Sequence, residues 1–365
     1  LKTVDTIGNV GSNSSIAIHP DGRPFIAYED LSNNRLKLYV CNDAVCSSGQ
    51  SQTLDINATE PSLAIRNDGR LLIAARQDTT GMGDYQLSLF DCLDTQCSNP
   101  QVRMLESLQP SSFGPTSLLI RSDGRPVIAF FRDQEGALSN LLKLYSCLNT
   151  DCDQGDSIVI NSEVQISRHN VMVLRPDAVS QTDLPVFAYQ KDSDMVVFAC
   201  TDEHCSSGIE TPTMSGPFSG IPTIAMRNSG LPSIAYTLGA AALKLYDCTN
   251  ADCTSGFERN IGQARSGQSG ITIRPDNRPI VVHSSRNLFD DGLRIYNCAD
   301  PQCISGETIN PDNTSEAANF INAATCQNGL PIISFQRGGV EDLVLLTCEL
   351  PPPIFQNGFE TQIAP

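Results

Sequence analysis

The chain has 365 residues, 40% of them hydrophobic, which supplies a sizeable core and excludes a disordered protein. Acidic residues outnumber basic ones 41 to 24, and the net charge of −17 argues against nucleic acid or an anionic membrane surface as partner. No apolar run reaches the ~18–20 residues of a membrane-spanning helix, while 26 Gly and 22 Pro suit many short strands joined by tight turns.

Along the chain, the first predicted strand is Thr3-Val-Asp5. It is followed by a strand at Ser15–His19, a turn at Pro20-Asp-Gly-Arg-Pro24, a second strand at Phe25–Tyr28 and a third at Leu36–Cys41. The third strand alternates in the β manner, and its pattern recurs as Leu142-Lys143-Leu144-Tyr145, Leu243-Lys244-Leu245-Tyr246 and Leu293-Arg294-Ile295-Tyr296. The turn recurs as Asn67-Asp-Gly-Arg70, Ser122-Asp-Gly-Arg-Pro126, Asn228-Ser-Gly-Leu-Pro232, Pro275-Asp-Asn-Arg-Pro279 and Gln327-Asn-Gly-Leu-Pro331, since Asp-Gly and Asn-Gly supply the positive φ of a tight hairpin. A short outer strand such as Ser51–Asp55 makes four antiparallel strands per unit. Repeat four carries an insertion from Ala178 to Asp183.

Successive third strands end in cysteines separated by 51, 55, 53, 48, 50 and 50 residues, a period typical of propeller blades. The seventh unit has only three strands, Asn322–Thr325, Leu330–Phe335 and Asp342–Cys348, and Thr3-Val-Asp5 matches the missing fourth, Thr53-Leu-Asp55. The predicted fold is therefore all-β: a seven-bladed β-propeller of four-stranded antiparallel blades, closed by the N-terminal strand in blade 7. The domain map is one propeller over residues 1–350, with 1–7 as the outer strand of blade 7, and a tail over 351–365.

Six cysteine pairs share the spacing C-x4-C: Cys41 with Cys46, Cys92 with Cys97, Cys147 with Cys152, Cys200 with Cys205, Cys248 with Cys253, and Cys298 with Cys303. Each pair lies about 50 residues from the next and only one has a His inside it, His204, which makes poor zinc ligands. Disulfides joining the third and fourth strands of each blade fit better. An oxidising compartment is implied: secreted, periplasmic or cell-surface, with a leader removed before Leu1. Cys326 and Cys348 remain. They are expected to pair although an intervening strand nominally sets them ~9–10 Å apart, because two free thiols do not suit that compartment.

Among candidate chemical groups, His283 falls in an aromatic column with Tyr28, Phe130, Tyr189, Tyr236 and Phe335 and reads as core; His19 takes a position that is Arg in five other repeats. His169, with Arg168, is the only His outside the repeat pattern and the best acid–base candidate. Arg66, Arg121, Arg175, Arg227 and Arg274 form a column before the turns, either an anion ring at the channel or clasps to the adjacent blade. The loops after the second strands carry Glu29-Asp30, Gln77-Asp78, Arg132-Asp133, Lys191-Asp192, Arg286, Asp290-Asp291, Arg337 and Glu341-Asp342, and Asp30, Asp78, Asp133 and Asp192 are the binding candidates there, since propellers place function on such loops. No cofactor is expected; Ca²⁺ is conceivable there, but no D-x-D-x-D-G spacing occurs.

The blade pattern, reading D-G-x-P, then I-A-Y, then L-K-L-Y-x-C-x4-C, resembles that of secreted bacterial seven-bladed propellers from Ser15 to Cys348. The tail Ile354-Phe-Gln-Asn-Gly-Phe-Glu360 is similar to a short C-terminal segment of secreted proteins in some Gram-negative bacteria. The resemblance implies a fold and a compartment but no activity, so no site residue carries over. Lacking Trp, the chain departs from the sialidase Asp-box, WD and quinoprotein repeats. With near-equal blades and no catalytic cluster in sequence, the expected role is a non-enzymatic binding or interaction propeller in an extracellular assembly, its partner a protein or a surface glycan. The alternative is a polysaccharide lyase or glycoside hydrolase on the same scaffold.

Overall fold

Seven sheets of four antiparallel strands, each entered from its inner strand, make up the computed structural model, and among the described residues there is no helix. The structure describes residues 1–107, 114, 116–133, 140–164, 172–177, 181–192, 194–215, 222–239, 241–265, 269–285, 292–311 and 316–348. Blade 1 shows the plan: Val10–Ile18, Pro24–Asp30, Arg35–Cys41 and Gly49–Ile56, paired in that order. The fold is the predicted seven-bladed β-propeller. Blades 3 and 4 are additionally joined through one residue pair, Val164 with Lys191.

The second strand of blade 1 is buried along its whole length, which is why it reads as an apolar run rather than an alternation. Its two faces serve different cores. Phe25 and Ala27 pack with Leu63 and Ile73 of blade 2, while Ile26 and Tyr28 pack with Ile332 and Leu345 of blade 7. The hydrophobic core is thus a ring of wedges between blades, so stability depends on every blade having two neighbours.

All six C-x4-C pairs are disulfides: Cys41 with Cys46, Cys92 with Cys97, Cys147 with Cys152, Cys200 with Cys205, Cys248 with Cys253, and Cys298 with Cys303, at Cα separations of 4.6–4.9 Å. Their placement corrects the expected one, because they do not tie the third strand to the fourth. Cys46, Cys97, Cys152, Cys205, Cys253 and Cys303 all lie in the connecting hairpin, before the fourth strand begins. The reason is local. Each of these second cysteines has a positive φ, from 51° to 58°. Each also donates its N–H to the carbonyl three residues earlier, as Cys97 does to Asp94 and Cys253 to Asn250. The chain therefore turns back on itself at the second cysteine and reaches its strand only afterwards. By loop-closure entropy such a short bridge contributes about 2 kcal/mol.

Cys326 and Cys348 are also bridged, with Cα atoms 6.2 Å apart. The nominal two-strand separation does not apply there. In blade 7 the first and second strands stop pairing at Thr325 with Pro331, and the second and third at Ile333 with Leu346, so both cysteines lie past the intervening strand's start.

His283 does occupy the aromatic column. Tyr28, Phe130 and Tyr236 lie opposite Lys37, Lys143 and Lys244, and His283 lies opposite Arg294. The ring is 3% exposed. Burial pushes its imidazole down to about 4; the Ser284 carbonyl opposes this and the Arg294 charge adds to it. Because the folded pKa lies below the ordinary 6.5, the buried neutral ring is fully tolerated above pH 6.5 and costs stability progressively from there down to about pH 4. The loss amounts to about 3 kcal/mol across that window. We expect His283→Phe, which restores the ring used in blade 3, to remove it. Melting temperatures at pH 7 and pH 4.5 check this; a variant as acid-sensitive as the wild type would show that other groups carry the effect.

One departure from the expected elements matters for function. The inner strand of blade 1 begins at Val10, not Ser15, and is interrupted by a bulge between Ser12 and Ser15. Blades 2 and 7 bulge likewise between Thr59 and Ser62 and between Asn319 and Asn322. The bulged residues Asn13, Glu60 and Phe320 have φ of 46°, 56° and 51°. A bulge re-aims a side chain and breaks the two-residue period, so the alternation before it is invisible in sequence.

Candidate functional site

Strand direction divides the molecule into two faces. First-to-second turns and cysteine hairpins fall on one face; second-to-third loops and blade-to-blade crossings fall on the other. The five arginines end inner strands on the turn face, where three reach the cysteine hairpin of the next blade. Arg66 stands 3.9 Å from Asp151, Arg121 donates to the Glu203 carbonyl at 2.5 Å, and Arg175 pairs with Asp252 at 3.0 Å. Arg227 stays within its blade, on Asp247 and Ser233, and Arg274 lies 3.5 Å from Asp276. These contacts are clasps between and within blades.

On the loop face the predicted aspartates do not converge. Asp30 accepts from the Asn33 amide at 2.8 Å, and Asp78 from the Gly81 and Gly83 N–H groups at 2.9 and 3.0 Å, so each organises its own loop. Asp192 is exposed at φ 54°, and Asp133 closes its strand by pairing with Asn140. Arg168, His169, Arg286, Asp290, Asp291 and the tail lie outside the described residues. No three carboxylate, His or Cys side chains gather as cation ligands among the described residues.

A different cluster forms where blades 1 and 2 meet at the mouth of the channel. The position following the aromatic column holds Glu29, Arg76, Phe131, Gln190, Thr237, Ser284 and Gln336 in blades 1 to 7. The sevenfold pattern is broken most sharply at Glu29 and Arg76, two adjacent charges of opposite sign. Glu29 is 2% exposed. Its Oε1 accepts hydrogen bonds from the Asn13 amide at 3.0 Å and from the Glu60 backbone N–H. Both donors are supplied by the bulges, which turn Asn13 and Glu60 toward the second strand of blade 1. Burial pushes the Glu29 carboxyl above the usual range, more strongly than those two hydrogen bonds and the Arg76 charge lower it.

The Glu60 side chain is held differently. Oε2 accepts from the Gly114 N–H at 3.2 Å and Oε1 lies 3.9 Å from Arg76 Nη1. The Glu60 carbonyl accepts from Thr116 at 3.0 Å, fixing the bulge to blade 3. Arg76 is nearly buried, and its guanidinium lies 3.7 Å from the centre of the Tyr85 ring. The site therefore brings together a carboxyl biased toward its protonated form and a second carboxylate paired with a cation. These are the two kinds of carboxyl environment that acid–base chemistry uses. The sequence marks Glu29 only as loop charge beside the binding candidate Asp30, and it does not mark Glu60. The available signal was the unlike residue types in one column.

No family model and no curated protein sequence matches the chain. Solved structures match its shape. An α-L-arabinofuranosidase from Fusarium graminearum, in complex with an iminosugar inhibitor, aligns with a TM-score of 0.56 at 10% identity, over 95% of this chain and 98% of that one. A leech intramolecular trans-sialidase aligns at 0.52 and 9% identity, over 95% and 70%. A puromycin hydrolase aligns at 0.53 and 13%, over 90% and 50%. The likeness to a trans-sialidase holds without any Trp in the chain, because strand pattern, not a turn motif, sets the blade architecture. At these identities the likeness is one of fold. The expectation of a non-enzymatic binding module is corrected to this extent: the propellers that share the fold include glycosidases, the arabinofuranosidase along nearly its whole length.

Proposed function

We propose that the protein is a glycoside hydrolase, with Glu29 as general acid and Glu60 as the second carboxylate. The observation that carries this reading is the pair of carboxyl groups in opposite environments where blades 1 and 2 meet, beside the Glu29 and Arg76 break in the blade pattern. Hydrolysis of a glycosidic bond needs one protonated carboxyl to release the leaving oxygen and one carboxylate to attack, or to activate water, on the other side. Both hydrogen bonds to Glu29 end on Oε1, and among the described residues none ends on Oε2, which suits that oxygen to meet a leaving group. Arg76 fixes the Glu60 carboxylate, and Tyr85 fixes Arg76. The reaction needs no cofactor. Seven disulfides support action in an oxidising compartment outside the cytoplasm, as does the blade pattern shared with secreted bacterial propellers. Glycans are the partner class.

The experiment is a hydrolysis screen of the purified, oxidised chain against 4-nitrophenyl glycosides of arabinofuranose, pyranoses and sialic acid, with arabinan and other plant polysaccharides. Release of reducing sugar from at least one, abolished in Glu60→Gln, is the expected result. No turnover on any of them at pH 4 to 8 would count against the reading.

A further inference from the structure

Blade 3 reaches into the acid site through the segment that enters its inner strand. Three of its groups meet the blade 2 bulge, one at every second residue. Gly114 N–H donates to Glu60 Oε2 at 3.2 Å, the Thr116 hydroxyl to the Glu60 carbonyl at 3.0 Å, and Leu118 N–H to Ser62 Oγ at 2.8 Å. The Thr116 hydroxyl also stands 3.1 Å from the Ala74 carbonyl, and the residue is buried.

Two of these contacts follow a plan seen in other blades. Ser15 and Ser62 share one register, each opposite an alanine of its second strand, and Leu63 N–H donates to Ser15 Oγ at 3.0 Å as Leu118 does to Ser62. Ser14, which precedes Ser15 as Thr116 precedes Ser117, donates to the carbonyl of the blade 7 bulge residue Phe320 at 3.2 Å. A hydroxyl from the following blade thus anchors both of these bulges by their backbone. Blade 2 has Pro61 at that place, without a hydroxyl, and the blade 1 bulge is held instead by the Asn13 amide on Glu29.

The Gly114 contact differs in kind, because it ends on the side chain of the bulge residue. Gly114 has a φ of 154°, which residues with side chains rarely adopt, and a Cβ there would lie 2.8 Å from the Cβ of Phe131. Phe131 is fixed in the core between blades 3 and 4. It is also the blade 3 member of the column that holds Glu29 and Arg76 in blades 1 and 2. Its bulk leaves room at position 114 for glycine alone, so a bare peptide N–H is what faces Glu60. We infer that Gly114 and Thr116 are positioning residues for Glu60, Thr116 holding the bulge backbone and Gly114 the carboxylate, with Oε2 on its N–H and Oε1 toward Arg76. Their part in catalysis rests on the hydrolase reading of Glu29 and Glu60; their hold on the carboxylate does not.

The test has two readouts on the full chain. The first is the titration of Glu60 itself, followed by carbon-13 NMR with carboxyl-labelled glutamate, its resonance identified by its loss in Glu60→Gln. A peptide N–H on a carboxylate favours the ionised form, so Gly114→Ala should raise the midpoint, by about tenfold in proton affinity. Thr116→Val, which keeps the shape and loses the hydroxyl, should raise it as well, and Thr116→Ser should restore it. The second readout is kcat on a cleaved glycoside, expected to fall about a hundredfold in Gly114→Ala and Thr116→Val at little-changed KM, the cost of a misplaced group. Thr116→Ser should recover it. If Gly114→Ala does not fold, the Thr116 pair decides. Midpoints unmoved in the folded variants would overturn the inference even where glycosides are cleaved, and moved midpoints with unchanged kcat would overturn the role in catalysis. Moved midpoints without cleavage of any glycoside uphold the hold on Glu60, and it is then the hydrolase reading that fails.

Discussion

Glu29→Gln is expected to lower kcat on any hydrolysed glycoside by about a hundred- to ten-thousand-fold, the usual contribution of a positioned general acid or base. Glu60→Gln should cost at least as much. Neither change should unfold the protein. A glutamine at position 29 keeps an oxygen for the Asn13 amide and the Glu60 N–H, and it removes a buried carboxyl whose ionised form is disfavoured. Since the folded pKa of Glu29 is raised, ionisation favours the unfolded chain as pH climbs above the ordinary carboxyl range. Glu29→Gln should therefore melt no lower, and slightly higher, than the wild type at pH 7. Loss of activity with a gain of stability is hard to reconcile with a purely structural glutamate.

The pH profile separates the roles further. An acid that must be protonated is active below its pKa, so activity should fall on the alkaline side as Glu29 ionises. The Arg76 charge lowers that pKa, so Arg76→Leu should move the alkaline limb upward while also reducing kcat through a loosened Glu60. Arg76→Lys, which keeps the charge but not the planar group stacked on Tyr85, should leave the limb near its wild-type place. An alkaline limb that stays put in both Glu29→Gln and Arg76→Leu would sink the assignment.

Legibility in the sequence followed the local physics of each feature. The blade count and the order of strands were readable because they rest on repeated turns, alternating third strands and a fixed cysteine spacing. That spacing also gave the six hairpin bridges, but not the left-handed turn that keeps each second cysteine out of the fourth strand. The Arg column was readable as a column, but its targets were not. Asp151, Glu203 and Asp252 sit in the hairpin of the following blade, about 80 residues away in each case, and nothing local marks them. The acid pair was hidden for a different reason. Glu60 is aimed by a left-handed bulge that has no Gly or Asn to announce it, and Glu29 looks like loop charge because it precedes Asp30. Only the three-dimensional meeting of blade 1 with blade 2 makes the two carboxyl groups one site. The functional expectation erred on the same ground: near-equal blades suggest a uniform role, whereas the chemistry proposed above rests on two residues that differ.

Deleting residues 1–7 is expected to lower the melting temperature by on the order of ten degrees or more. Lys2, Thr3 and Asp5 pair with Leu345, Val344 and Leu343, so the N-terminal strand is the fourth strand of blade 7. It is also tied to blade 1. Lys2 Nζ donates to the Cys46 and Ser47 carbonyls at 3.0 and 2.6 Å, and Asp5 accepts from Tyr28 at 2.6 Å and from Lys37. Removal leaves a bare sheet edge on blade 7 and an unpaired, largely buried Lys37 on blade 1. Breaking a buried ion pair from one side alone costs about 3–5 kcal/mol, and each kcal/mol shifts the midpoint of a large domain by roughly 2–4 °C. The single variant Asp5→Ala isolates that share. Burial works to raise the Asp5 carboxyl, but hydrogen bonds from Lys37, Tyr28 and the Ile7 N–H, with the Lys37 charge, outweigh it and hold the group below its ordinary range. Its stabilisation is therefore complete above the ordinary carboxyl pKa of 3.8 and is lost as pH falls through the lower folded value. Wild type and Asp5→Ala should differ most at neutral pH and converge in strong acid. A truncated chain that melts with the full one would show that the ring does not need its closing strand, and a constant gap between wild type and Asp5→Ala down to pH 2 would show that the Lys37 pair is not what the strand contributes.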